Sequence, residues 1–219
     1  MKAKVTKRIY IVRHGESEDN VLPIYQHAES NLTQKGIQQA QAVAKRFAAL
    51  PIQSLISSPY KRAKHTAEHI SEVVSLPIEL SDYFSEVRKP SSIEGREHSD
   101  PSTHMLAHAW QDSLFKQMPQ VEDAENFDLV MERVKNALEY LQSKKESTIA
   151  VVSHGFFLRS MLAYIMFGDA LNGTLLKSFS EHIKTFNTGI TYIEEREVGG
   201  KNKFIILGYN DHAHLDSNI

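Results

Sequence analysis

Ile9-Tyr10-Ile11-Val12-Arg13-His14-Gly15-Glu16 reads as a short apolar run that stops at an arginine and a histidine, with a glycine behind them. Four consecutive apolar residues suit a buried parallel strand, covered on both faces. The C-terminal ends of such strands are where open α/β sheets hold their ligands. The pattern recurs far downstream in Thr148-Ile149-Ala150-Val151-Val152-Ser153-His154-Gly155. Two strands that each end in His-Gly bring two imidazoles to one rim of one sheet. That rim is the expected active site.

Between and beyond these strands, helical and extended patterns alternate. Residues 33–50 carry Ile37, Ala40, Ala44 and Phe47 at helical spacing, with Pro51 just past the end. Residues 52–56 read as a short strand, 60–74 as a helix with Pro59 near its first turn, and 77–80 as a brief strand. Residues 81–121 are polar and broken by Pro90, Pro101 and Pro119, with one helix expected over 103–117. This stretch is expected to be an insertion or cap over the sheet. Helices follow over 126–144 and 156–167, then late strands over 190–195 and 204–209 joined by a turn at Gly199-Gly200, while 211–219 reads as a loose tail. The alternation predicts a single domain over residues 1–219: a three-layer α/β/α sandwich with a mostly parallel sheet and a helical cap insertion.

Composition narrows the function. The 219 residues are 41% hydrophobic and 24% charged, ordinary for a globular domain. A net charge of -2 supplies no broad basic field for nucleic acid. The chain has no cysteine, which removes disulfide and thiolate chemistry. Residues 1–8 are basic, but the apolar run behind them is too short for a signal peptide or a membrane span, so a cytoplasmic protein is expected.

At the strand end, Gly15 lets the backbone approach a ligand, and Arg13 offers a planar fork for phosphate or carboxylate oxygens. A histidine beside an arginine stays neutral and nucleophilic, because the neighbouring charge disfavours its protonated form. A neutral imidazole beside a guanidinium suits attack on phosphorus and a phosphohistidine intermediate.

Arg13-His14-Gly15-Glu16-Ser17 with Asn20, Asn31-Leu32-Thr33-Gln34-Lys35-Gly36 with Gln39-Ala40, Ser57-Ser58-Pro59-Tyr60-Lys61-Arg62-Ala63 with Thr66-Ala67, and Ser153-His154-Gly155 occur in this order. Together with the 187–192 stretch they resemble the histidine phosphatase superfamily, also called phosphoglycerate mutase-like. The resemblance implies a metal-independent, cofactor-free phosphomonoesterase acting on a small-molecule phosphate ester, as a monomer or homodimer. It implies His14 as nucleophile and Arg13, Arg62 and His154 around the phosphoryl oxygens. Asn20 would be a further donor and Gly155 part of the same binding rim. Such fixed cationic donors are what a phosphoryl group in transfer requires. A protonated His154 would complement the phosphate.

The family's proton donor is a carboxylic acid, and Glu86 is the best match, with Asp82, Glu94 and Glu16 as competitors. It would protonate the leaving oxygen and then deprotonate the water that attacks phosphohistidine. His98, His104 and His108 include an i, i+4 pair, but no cysteine or carboxylate cluster completes a metal set. Phe156 or Phe157 is a candidate for the pocket wall, and His27 for its rim.

Two other functions compete. A phosphoglycerate mutase of this family carries Glu-Arg-His-Tyr-Gly in the acid region, where this chain reads Glu86-Val87-Arg88-Lys89-Pro90. Residues 90–96 also depart from the phosphatases' Phe-Gly-x-Trp-Glu-Gly, which leaves substrate choice open. A non-catalytic phospholigand-binding module would lose His14 or the acid, and both are present.

Overall fold

In the computed structural model, which describes residues 4–215, six strands form one sheet in the order β3-β2-β4-β1-β5-β6. These are β1 (Lys4–Arg13), β2 (Ser54–Ser57), β3 (Ile78–Leu80), β4 (Thr148–Ser153), β5 (Ile190–Val198) and β6 (Lys201–Asp211). The first four run parallel, whereas β5 is antiparallel to both β1 and β6. The sheet is therefore mixed but mostly parallel, as the sequence pattern predicts. β1 starts at Lys4, well before the apolar run, because its first residues pair with the far end of β5.

Helices cover both faces. α2 (Gln34–Phe47) and α3 (Lys61–Val74) pack on one, where Val12, Ala150 and Val152 meet Val43, Phe47, Ala67 and Ile70. α5 (Phe127–Ser143), α6 (Gly155–Phe167) and α7 (Gly173–His182) pack on the other, over Ile9, Ile11, Ile149 and Val151. Neighbouring residues of β1 and β4 thus face opposite cores, which is why both strands read as unbroken apolar runs. Burying each of these aliphatic side chains contributes about 1.5–3 kcal/mol.

The 81–121 stretch is held by turns more than by helix. It contains 3-10 turns at Asp82–Phe84 and Ser91–Ile93, and α4 (Pro101–Phe115). Asp100 caps α4 by accepting the Ser102 and Thr103 N–H groups, so the helix begins two residues before its expected start. α1 (Glu18–Val21) and α7 lie outside the expected elements. α7 carried a usable signal: Asn172 caps it by accepting the Leu175 N–H, and Leu175, Leu176 and Phe179 follow at helical spacing.

The tail departs from the expected loose segment. Asp211 ends β6 and pairs with Arg46 at 2.5 Å, and His214 Nε2 lies 3.1 Å from Thr188 Oγ1. Residues 216–219 lie outside the described residues. Among the described residues, no helix is long and apolar enough to cross a membrane.

Candidate active site

Strand register sets the site. β1 and β4 pair Ile9 with Ile149 through to Arg13 with Ser153, so His14 and His154 leave the sheet side by side. Their ring centroids are 5.0 Å apart and both side chains are buried. His14 is fixed through its backbone: its N–H donates to Ser153 O at 3.0 Å, and its carbonyl accepts from Asn187 Nδ2 at 2.9 Å. Gly15 and Gly36 let the loop after β1 press on the start of α2. A Cβ on Gly36 would stand 1.9 Å from Glu16 O, and one on Gly15 would stand 2.5 Å from Gly36 O.

The imidazole of His14 has a defined tautomer. Its Nδ1 lies 2.7 Å from Gly15 O and so carries the proton, while Arg62 Nε donates to Nε2 at 3.1 Å. The lone pair therefore sits on Nε2. Burial, and then the guanidiniums of Arg62 and Arg13, hold His14 well below its ordinary value, so the ring is neutral.

Arg62 arrives from the first turn of α3, one residue past Lys61. Pro59 lies outside that turn, because Tyr60 is the N-cap. Arg62 is almost wholly buried, and its Nη1 donates to His27 O at 2.8 Å. Its carbonyl accepts from Thr66 Oγ1, which in turn accepts the Gly15 N–H at 3.0 Å. That link joins α3 to the nucleophile's own loop. Arg13 Nη1 donates to Thr185 O at 2.6 Å, while its Nε is buried without a partner. Burial draws Arg13 down to about 10, opposed first by the charge of Glu86. Gly155 keeps this corner open: a Cβ there would stand 3.3 Å from Arg13 Nε.

His154 is the N-cap of α6, and its Nε2 meets Ser58 Oγ at 2.8 Å. Its Nδ1 is buried without a partner. Burial, Arg62, His14 and Arg13 together hold it well below its ordinary value. Protein groups alone therefore keep His154 neutral. The protonation expected from sequence is thus opposed by the groups around the ring.

Glu86 sits at the start of α6. Its Oε2 accepts the Phe156 N–H at 3.1 Å and its Oε1 accepts those of Phe157 and Val87 at 2.8 and 2.9 Å. Its charge is the largest acidic influence on both Arg13 and Arg62. The competitors are placed less well. Asp82 is exposed, and Glu16 accepts from Thr33 Oγ1 at 2.8 Å, at the cap of α2. Glu94 faces Lys89 and Tyr60. Asn20 Oδ1 accepts from Ser17 N and Asn187 Nδ2, which leaves its amide N–H groups as donors.

Several participants were missed from sequence. Arg133 of α5 forms a two-pronged pair with Glu125, at 2.7 Å through both Nε and Nη2. Its Nη1 donates to Ser85 O at 2.7 Å and to Tyr83 O at 3.2 Å, and its guanidinium lies 4.3 Å from the Phe157 ring centre. Arg133 thus fixes the segment that carries Glu86. Ser153 Oγ adds a bond to Phe84 O at 2.7 Å.

Glu86 and Asn20 line a cavity of about 300 Å³. Asp19, Tyr25, Lys89, Trp110 and Phe156 line it as well, whereas Phe157 is core. Its outer wall is the 22–28 loop, bridged to the cap between Ile24 and Glu97 and by an edge-on contact of Tyr25 with His98 at 4.4 Å. His27 Nδ1 is 3.2 Å from Asp19 Oδ2, next to this wall. His104 and His108 pack on each other on an exposed face of α4. Among the described residues, no three His, Cys, Asp or Glu side chains are grouped to hold a metal ion.

The chain is similar in sequence and fold to known proteins. A probable phosphatase of Schizosaccharomyces pombe is 34% identical over 166 residues, which is 71% of this chain but 55% of that protein. A probable phosphoglycerate mutase GpmB of Proteus mirabilis is 31% identical over 163 residues, covering 73% of this chain and 74% of that protein. The solved structure of Bacillus stearothermophilus YhfR superposes with a TM-score of 0.78 at 26% identity, over 95% of this chain and 98% of that one. The sequence profile of the histidine phosphatase superfamily, branch 1, matches residues 9–202. The chain belongs to that superfamily.

Proposed function

We propose that this protein hydrolyses small phosphate monoesters through a phosphohistidine formed on Nε2 of His14, without a metal. Phosphatase chemistry in general follows from the family. The finer reading rests on one observation: a buried, neutral imidazole whose Nε2 lone pair faces the Arg62 guanidinium, with Arg13 and His154 adjacent.

In the first step the Nε2 lone pair attacks phosphorus and the P–O bond to the alcohol breaks. The Arg62 Nε–H stays on the guanidinium and turns its hydrogen bond from the lone pair to a phosphoryl oxygen as that charge spreads. Arg13 and a protonated His154 meet the other oxygens, while Gly15 O keeps the proton on Nδ1 and so keeps Nε2 free. The leaving oxygen takes its proton from Glu86. In the second step the Glu86 carboxylate accepts a proton from water as its oxygen attacks phosphorus. The P–N bond breaks, phosphate leaves and neutral His14 returns.

The test is rapid-quench labelling with a phosphate-labelled ester. Label on the protein should survive base and be lost in acid, and His14→Ala should abolish it. Acid-stable label, or turnover that stops in EDTA, would refute the mechanism. Incubation with 3-phosphoglycerate separates hydrolysis, which releases phosphate, from isomerisation, which does not.

A further inference from the structure

On the reading of Glu86 as the acid, the departing alcohol lies in the cavity that Glu86 lines. Two of its walls are acidic: Glu86, and Asp19, whose Oδ2 accepts the His27 N–H at 2.9 Å. The one cation among its lining residues, Lys89, is already committed. Its ammonium donates to Gln26 O, and Glu94, Glu86 and Asp19 surround it. A second anionic group on the substrate would therefore face the Asp19 carboxylate, with Lys89 held to Gln26 O. The remaining surface includes three aromatic side chains, Tyr25, Trp110 and Phe156. At about 300 Å³ the space is at the lower end of ligand pockets, roughly 300–1,000 Å³, and takes one ring system rather than several.

We infer that the preferred substrates are phosphate monoesters of uncharged, ring-bearing alcohols, with the ring against Tyr25 and Trp110, and that esters of small acids are discriminated against. This rests on the reading of Glu86 as the group beside the leaving oxygen. Apolar and aromatic faces bind a ring by area and stacking, whereas a carboxylate placed against like charge is penalised. The acidic wall thus acts as a filter and the aromatic wall as a holder.

Four alkyl esters, whose leaving oxygens are chemically comparable, test this: 2-phenylethyl phosphate, ribose 5-phosphate, 3-phosphoglycerate and phosphoserine. Rates of His14 phosphorylation should favour one of the two uncharged ring esters over both acidic esters by at least about tenfold. Which ring ester leads distinguishes an aryl from a sugar leaving group. Asp19→Asn should narrow the gap by raising the rate with 3-phosphoglycerate. Tyr25→Leu should narrow it from the other side, lowering kcat/KM for the ring ester by about three- to tenfold through KM. Equal rates for all four, or faster labelling by an acidic ester, would overturn the inference while leaving phosphohistidine chemistry intact. Failure of p-nitrophenyl phosphate to label His14 would instead refute the chemistry itself.

Discussion

Arg62 Nε and His14 Nε2 are 3.1 Å apart, with the guanidinium as donor and the imidazole as acceptor. A cation held against the lone pair keeps the ring deprotonated, and in the proposed mechanism it also meets the phosphoryl oxygens. Arg62→Ala should therefore lower kcat/KM by roughly 10²–10³-fold, as for other lost transition-state donors. The deficit should be alike for chemically different esters, measured in steady state. A loss confined to one ester would place Arg62 against the leaving group instead.

The two buried histidines give stability a signed pH dependence. Both are held well below 6.5 in the folded protein, so the unfolded chain binds protons that the folded chain refuses. Their contribution is complete above pH 6.5 and is lost as pH falls below it. The slope is at most about 1.4 kcal/mol per pH unit for each ring. Urea midpoints recorded from pH 8 to pH 5 should show the decline, and His14→Asn should flatten it. Imidazole nitrogen NMR should find His14 neutral, with its proton on Nδ1, at pH 6.

Glu86 makes a prediction that depends on the alcohol. An alkoxide leaves poorly without a proton, whereas p-nitrophenolate leaves well. Glu86→Gln should slow single-turnover phosphorylation of His14 by an alkyl ester far more than by p-nitrophenyl phosphate. Equal slowing would move the acid role to Glu94 or Asp82.

Arg133 should behave as a positioning residue for that acid. Arg133→Met leaves the Glu125 carboxylate buried without its partner, at a cost of about 3–5 kcal/mol in urea unfolding. In the fraction that remains folded, the variant should show the same bias against alkyl esters as Glu86→Gln. The two changes should then be strongly non-additive when combined. Uniform loss across esters would mean a structural role alone.

The site was legible wherever the groups sit at the ends of regular elements. His14, His154 and Arg62 each follow a strand or open a helix, and the apolar runs of β1 and β4 pointed to their shared rim. The hidden part depends on partners distant in sequence. Arg133 reaches carbonyls 47 to 50 residues away, and Ser58 meets His154 across 96 residues. Neither leaves a periodic trace. Lys89 carries no sequence signal beyond its departure from a mutase pattern, because the turns around it follow hydrogen bonds rather than hydrophobic spacing. The tail misled for a similar reason: its order comes from Arg46 and Thr188, not from its own composition.

The carbonyl of His14 is closed by Asn187, 173 residues further along the chain. His14 follows the first strand directly, yet the residue that closes its carbonyl comes only after α7. A chain that ends before Asn187 thus holds α2 and α3 but lacks this bond. The end of β1 is thus fixed by a bond that closes almost the whole length of the chain.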